Sequence, residues 1–334
     1  MRLRLPLALT AAVMAATAGH AAAQTPAYHV VARLPLPDGG WDLASFDPVL
    51  RRLYVARNAA VTAVDVDTGR VTGALAPLKH GHAVVPLRGG TEIMVTDAGP
   101  NTAEFFDART GAALASVPAG LKPDAAMFDA ASGLAVVMNG KSGDLTLIDP
   151  KTRKAVGQLA IGGALELGAG DGQGRLFVNV EDANQVAVVD LKARKVVARI
   201  PLTGCEGPTG IAYLPVSRRV VSSCVNGVAT VANPTTGKVE RTLPIGPRPD
   251  SVLYDAKRKI AFIPTGEELD LFADEAGGVR ALGKVATQAG ARTGALDEKT
   301  GRVYLPAAEY TPASTPNGKP QAKPGSVVLL VLEP

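Results

Sequence analysis

Four histidines occur in the 334 residues, and two of them share the stretch PLKHGHAVVP as His80-Gly81-His82. Residues two apart on an extended strand face the same way, so the pair has the geometry from which many metal sites are built. His82 also keeps a register with polar residues along the whole chain: Asp42, His82, Asp124, Glu166, Thr209, Asp250 and Arg292 follow one another at intervals of 40, 42, 42, 43, 41 and 42. Each is followed mainly by small or apolar residues. Two chemistries fit such a set. In one, His82, Asp124 and Glu166, with Asp250 as an alternative to Glu166, converge on a divalent cation that activates water or polarises a carbonyl. In the other, the carboxylates accept hydrogen bonds from loop amides and pair with Lys79, Lys122 and Arg248, which precede them in the same loops, and the set lines a wet funnel.

Other chemistry is missing from the chain. It holds no Gly-x-Ser-x-Gly elbow, zincin helix or Cys-x-x-Cys-His haem motif. The run GAGDGQG at 168–174 leads into RLFVNV, a strand pattern, where a phosphate-cradling loop needs a helix N-terminus. With no activated nucleophile, triad catalysis is not expected.

The elements that must position the polar register are legible as a repeat. An Asp-x-x-Thr-Gly turn signature recurs as DVDTG at 65, DARTG at 107, DPKTR at 149, DLKAR at 190, NPTTG at 233 and DEAGG at 274. Each lies between two runs rich in Val, Ile and Leu, which is hairpin patterning. Two more short strands precede each hairpin, as in GIAYLP and RVVSSCV, and helical periodicity is absent from residue 24 onward. Four short antiparallel strands per repeat predict propeller blades. The ends of the chain supply the closure. HVVARLPL at 29–36 matches KVVARIPL at 195–202 at six of eight positions, so it is an outer strand without inner ones. RTGALD, RVYLPAA and SVVLLVLEP are three strands lacking a fourth. The expected fold is therefore an all-β, seven-bladed propeller closed by its N-terminal strand joining the C-terminal blade. It forms a single domain over 24–334, with 307–326 as an irregular, mobile loop insertion.

The stretches RLYVARN, VTAVDVDTGRV and RLFVNVEDANQVAVVDLKARKVVARIPLTGCEGPTGIAYLP resemble the YVTN-type repeat of YncE-like and surface-layer propeller proteins, over essentially the whole chain after residue 23. The resemblance implies a seven-bladed, usually exported ring. It says little about chemistry, because that group includes ligand binders and nucleic-acid binders and is similar to lactonase propellers.

Residues 1–23, with Arg2 and Arg4 ahead of an apolar run and Ala21-Ala22-Ala23, read as a secretory signal peptide cleaved near Ala23, giving a periplasmic or secreted protein. Removing the two arginines from 35 basic residues leaves 33 against 31 acidic ones, a charge of +2. With 4% aromatic residues as well, nucleic-acid binding is disfavoured. No later run is long enough to span a bilayer. Cys205 and Cys224 are expected to form a disulfide in an oxidising compartment. Trp41, the sole tryptophan, precedes Asp42 and either stacks on a ligand or wedges between blades.

The expected function is that of a monomeric binding scaffold, without catalytic residues, whose loop face takes a small molecule or an envelope protein through Trp41, Asp42, His82, Asp124, Glu166, Thr209, Asp250 and Arg292. A metal-assisted, lactonase-like hydrolase is the alternative, with the divalent metal as its only cofactor; single-stranded nucleic-acid binding ranks third.

Overall fold

The structure is a computed structural model that describes residues 27–312 and 320–334. The expected signal peptide lies outside the described residues, as does 313–319 of the insertion.

Seven four-stranded antiparallel sheets follow one another around the ring. Blade 1 runs Trp41–Asp47, Arg52–Arg57, Ala60–Asp65, Val71–Pro77 from inner to outer strand, and blades 2 to 6 repeat this order. Blade 7 takes Ala295–Asp297, Arg302–Ala307 and Val328–Glu333 from the C-terminal end and His29–Pro35 from the N-terminal end as its outer strand. Closure leaves the seventh sheet without a free edge that a stacked array would expose.

The apolar core divides into seven clusters, each built from two adjacent blades. Val136 and Met138 of blade 3 meet Leu176 and Val178 of blade 4, for example. Each sheet buries both faces, which is why its middle strands read as continuous Val, Ile, Leu and Ala runs.

The Asp-x-x-Thr-Gly signature is a side-chain-closed turn. The Asp65 carboxylate accepts hydrogen bonds from the Thr68 amide at 2.9 Å and the Thr68 hydroxyl at 2.8 Å, and Asp107 repeats this with Thr110. Blade 6 departs from the pattern. Its strands meet in a tighter turn between Glu275 and Gly278, and the Asp274 carboxylate instead accepts from the amides of Val216 and Ser217 and from the Tyr254 hydroxyl. Asp274 thus ties blade 6 to blade 5.

The insertion at 307–326 is not irregular at its base. Tyr310–Thr311 pairs with Gln321–Ala322, and the Gly325 amide donates to the Asp38 carboxylate at 2.8 Å, docking the insertion on the loop before blade 1.

Candidate functional site

The seven register residues stand at the innermost strand of each blade, on the face where the outer strand of one blade leads into the next. A shared device aims them. In blades 1 to 5 the inner strand breaks register at or just beside the register residue, between Trp41 and Ala44, Gly81 and Val84, Pro123 and Ala125, Leu165 and Gly168, Pro208 and Ile211. In blades 6 and 7 the ladder begins only at Leu253 and Ala295, three residues beyond Asp250 and Arg292. A bulge or unpaired start frees the side chain from the alternation of the strand and turns it toward the axis. Beside these positions lies a cavity of about 140 Å³ whose lining includes Leu43, Ala83, Ala125, Leu167, Ser251 and Thr293, the residues that follow six of the seven.

Blades 1 to 3 build a compact charged cluster there. His82 Nδ1 lies 2.5 Å from Oδ2 of Asp42 and 3.0 Å from Oδ1 of Asp124, and Lys122 Nζ lies 2.6 Å from the other oxygen of Asp124. His82 is buried, and burial works against its charged form, but the hydrogen bond to Asp42 and the charge of Asp124 outweigh it and raise its pKa. Lys122 shows the same balance: desolvation disfavours the ammonium, and contact with Asp124 more than restores it. Lys122 reaches this position from a left-handed backbone, φ 53°, held by a hydrogen bond from its amide to Asn101. His80 is exposed, its ring edge-on to His82 with centroids 4.7 Å apart.

The grouping differs from the expected ligand set in one member. Asp42, His82 and Asp124 offer ligand atoms within 4.8 Å of one another, and Glu166 does not join them. An imidazole nitrogen with two carboxylates suits a borderline divalent cation such as zinc or manganese.

Glu166 and Asp250 occupy the opposite arc. Burial, reinforced by Asp124, Glu181 and Asp250, pushes the Glu166 carboxyl up to about 9, so it is protonated at neutral pH. Burial also raises Asp250, to about 6, against the pull of Arg292, whose guanidinium stands 3.9 Å away. Thr209 is absorbed by the scaffold: buried, it donates to the Pro249 carbonyl at 2.8 Å. Of the three expected counter-charges, Lys122 pairs with the ring; Lys79 and Arg248 form no ion pair with it among the described residues.

Of the two roles anticipated for Trp41, the structure shows the packing one, with its remaining surface on a pocket. The indole packs on the apolar cluster between blades 7 and 1, and it lines a pocket of about 350 Å³ beside the ring together with Arg292 and Tyr310. Tyr310 and Arg57, which shapes the same pocket, were not legible as site residues, because neither sits in the repeat register. Cys205 and Cys224 form the expected disulfide across the loop entering blade 5, with Cα atoms 5.5 Å apart.

No family model matches the chain, and no curated protein matches it. Solved structures match over nearly the whole length. A chain in the crystal structure of a mitotic checkpoint complex superimposes with TM-score 0.74 at 16% identity, covering 90% of this chain and 96% of that one. A chain of hydrazine synthase from Kuenenia stuttgartiensis gives 0.71 at 16%, covering 82% and 93%. The structure of U3-55K gives 0.74 at 10%, covering 90% and 97%. At such identities the likeness is one of fold, and it supports the seven-bladed propeller without carrying any of these proteins' roles to this chain.

The disulfide points to an oxidising compartment. No helix among the described residues is long and apolar enough to cross a membrane. His82 Nδ1 faces two carboxylates, and its Nε2 is buried without a hydrogen-bond partner among the described residues.

Proposed function

We infer that this chain is an exported binding propeller whose loop-rich mouth takes a small ligand carrying a positively charged group. The observation that carries this reading is the convergence of four carboxylates on the mouth, Asp42, Asp124, Glu166 and Asp250, which the resident cations do not balance; burial and mutual repulsion accordingly push Glu166 toward its protonated form. A cation entering there would release that proton and gain the attraction of groups already desolvated and fixed. Export is supported by the disulfide and by the resemblance to YVTN-type propellers.

A thermal-shift screen of small amines, amphoteric compounds and divalent cations tests the reading. Hits should stabilise the protein and should lose that effect in Asp42→Asn and Asp124→Asn, while Lys192→Ala on the opposite face leaves it intact. A screen without hits, or hits indifferent to both mouth substitutions, overturns it.

A second reading, metal-assisted hydrolysis, is favoured by the Asp42, His82, Asp124 grouping. It predicts a stoichiometric zinc or manganese in elemental analysis of the purified protein or in calorimetric titration, absent from the double variant His82→Ala, Asp124→Ala. Equal metal content in both would dispose of it.

A further inference from the structure

The pocket between blades 7 and 1 is built with more care than a surface crevice requires. Its floor is the loop Pro37-Asp38-Gly39, and a single nitrogen of the buried Arg57 guanidinium donates to all three of its carbonyl oxygens, at 2.7, 2.8 and 2.8 Å. Gly39 has φ 107°, a conformation that side chains rarely adopt, and a Cβ on Gly40 would meet nothing within 4 Å among the described residues, so bare backbone lines the pocket there. One wall is aromatic. Tyr310 and Trp41 close over Gly290, whose Cβ would lie 2.6 Å from the Tyr310 hydroxyl and 3.2 Å from the indole, a spacing that only glycine permits.

Arg292 forms the polar end. Its guanidinium is about half exposed, makes no hydrogen bond among the described residues, and approaches its one carboxylate, Asp250, no closer than 3.9 Å. The other charged residue lining the pocket, Asp38, already accepts the Gly325 amide through both oxygens. A fork of free N–H donors at the edge of an aromatic wall matches a planar carboxylate borne on a flat body. A single guanidinium suits a monoanion better than a phosphate dianion. The volume of about 350 Å³ lies at the small end of ligand pockets.

We propose that this pocket binds a small aromatic or planar carboxylate, its carboxylate on Arg292 and its ring against Trp41. The inference rests on the mouth being a ligand site and sharpens it: Arg292 lies between Asp250 and Asp42 in the ring, so a ligand with a cationic group at the carboxylates would anchor its anionic end here and be amphoteric.

Trp41 is the only tryptophan in the chain, so its fluorescence reports this pocket alone. Titration with 4-nitrobenzoate should quench it saturably, and the neutral isostere 4-nitrobenzamide should bind at least about tenfold more weakly. Arg292→Met should abolish the difference between the two probes, and Arg292→Lys should keep part of it. Calorimetry with both probes checks the optical result, and Arg292→Gln replaces Arg292→Met should the latter lose its cooperative unfolding transition. Equal binding of the two probes, non-saturating quenching, or an unchanged preference in the Arg292 variants overturns the proposal. Loss of the mouth reading would show instead in the Asp42→Asn and Asp124→Asn thermal shifts, which do not involve these probes.

Discussion

His82 Nδ1 and Asp42 Oδ2 stand 2.5 Å apart across a sequence separation of 40, almost one full repeat, so the contact joins equivalent positions of neighbouring blades. The bulges at both positions make this possible, since in a regular ladder the two side chains would follow the strand alternation of their own sheets. Because Asp124 lies on the same nitrogen at 3.0 Å, three consecutive blades are cross-linked at the axis.

The His82 pKa is raised in the folded protein, so the cross-link contributes stability that is fully present below the unfolded value near 6.5 and is lost as pH rises through the folded value. His82→Gln should therefore destabilise the protein at pH 6 and cost less at pH 9. In proton NMR titrations, Asp42→Asn should move the His82 transition to lower pH. A His82 transition unmoved by that substitution would show that the contact is not made in solution.

Glu166 depends on pH in the same direction, but as a penalty that grows and not as a bond that is lost. Its folded pKa of about 9 exceeds the unfolded value, so the native state binds the extra proton and stability declines as pH rises from about 4.5 toward 9. Glu166→Gln mimics the protonated form and removes that penalty. It should raise the melting temperature at pH 8 by about 2–4 °C and leave it unchanged near pH 4.5. Equal effects at both pH values would mean that Glu166 is ionised in the folded state.

The Cys205–Cys224 bond closes a loop of 19 residues in sequence separation at the entrance to blade 5. Replacing both cysteines with serine should cost about 3 kcal/mol in urea denaturation, largely by releasing the unfolded chain. A reducing agent should reproduce the loss in the wild-type protein and have no effect on the double variant.

Much of this architecture was legible in the sequence because a propeller is assembled from local units. The turn at Asp65 is closed by Thr68 three residues on, so its signature survives as a short string repeated around the ring. The register from Asp42 to Arg292 followed from the same period. Contacts made at a distance were less accessible. Asp42 and not Glu166 completes the group with His82 because blades 1 and 3 flank the blade that carries His82, whereas Glu166 stands in blade 4, two blades away. The Asp274 turn looked like the others, yet its carboxylate is spent on Val216 and Ser217 of the neighbouring blade. Tyr310 meets Trp41 only because the ring closes and brings the two ends of the chain together.

Arg57 offers the last and most local test. Its guanidinium is buried at the end of the second strand of blade 1, where desolvation lowers its pKa, and its return is the trio of carbonyls at Pro37, Asp38 and Gly39. Arg57→Met retains much of the side-chain volume but leaves those acceptors without their donor, a loss of about 2–4 kcal/mol by urea denaturation. Arg57→Lys returns a cationic donor on a shorter side chain and should recover part of it. The same substitutions should loosen the floor of the Trp41 pocket, so the red shift and quenching of the single tryptophan by acrylamide should increase in Arg57→Met under fully native conditions. Unchanged Trp41 accessibility with reduced stability would show that Arg57 supports the blade and not the pocket.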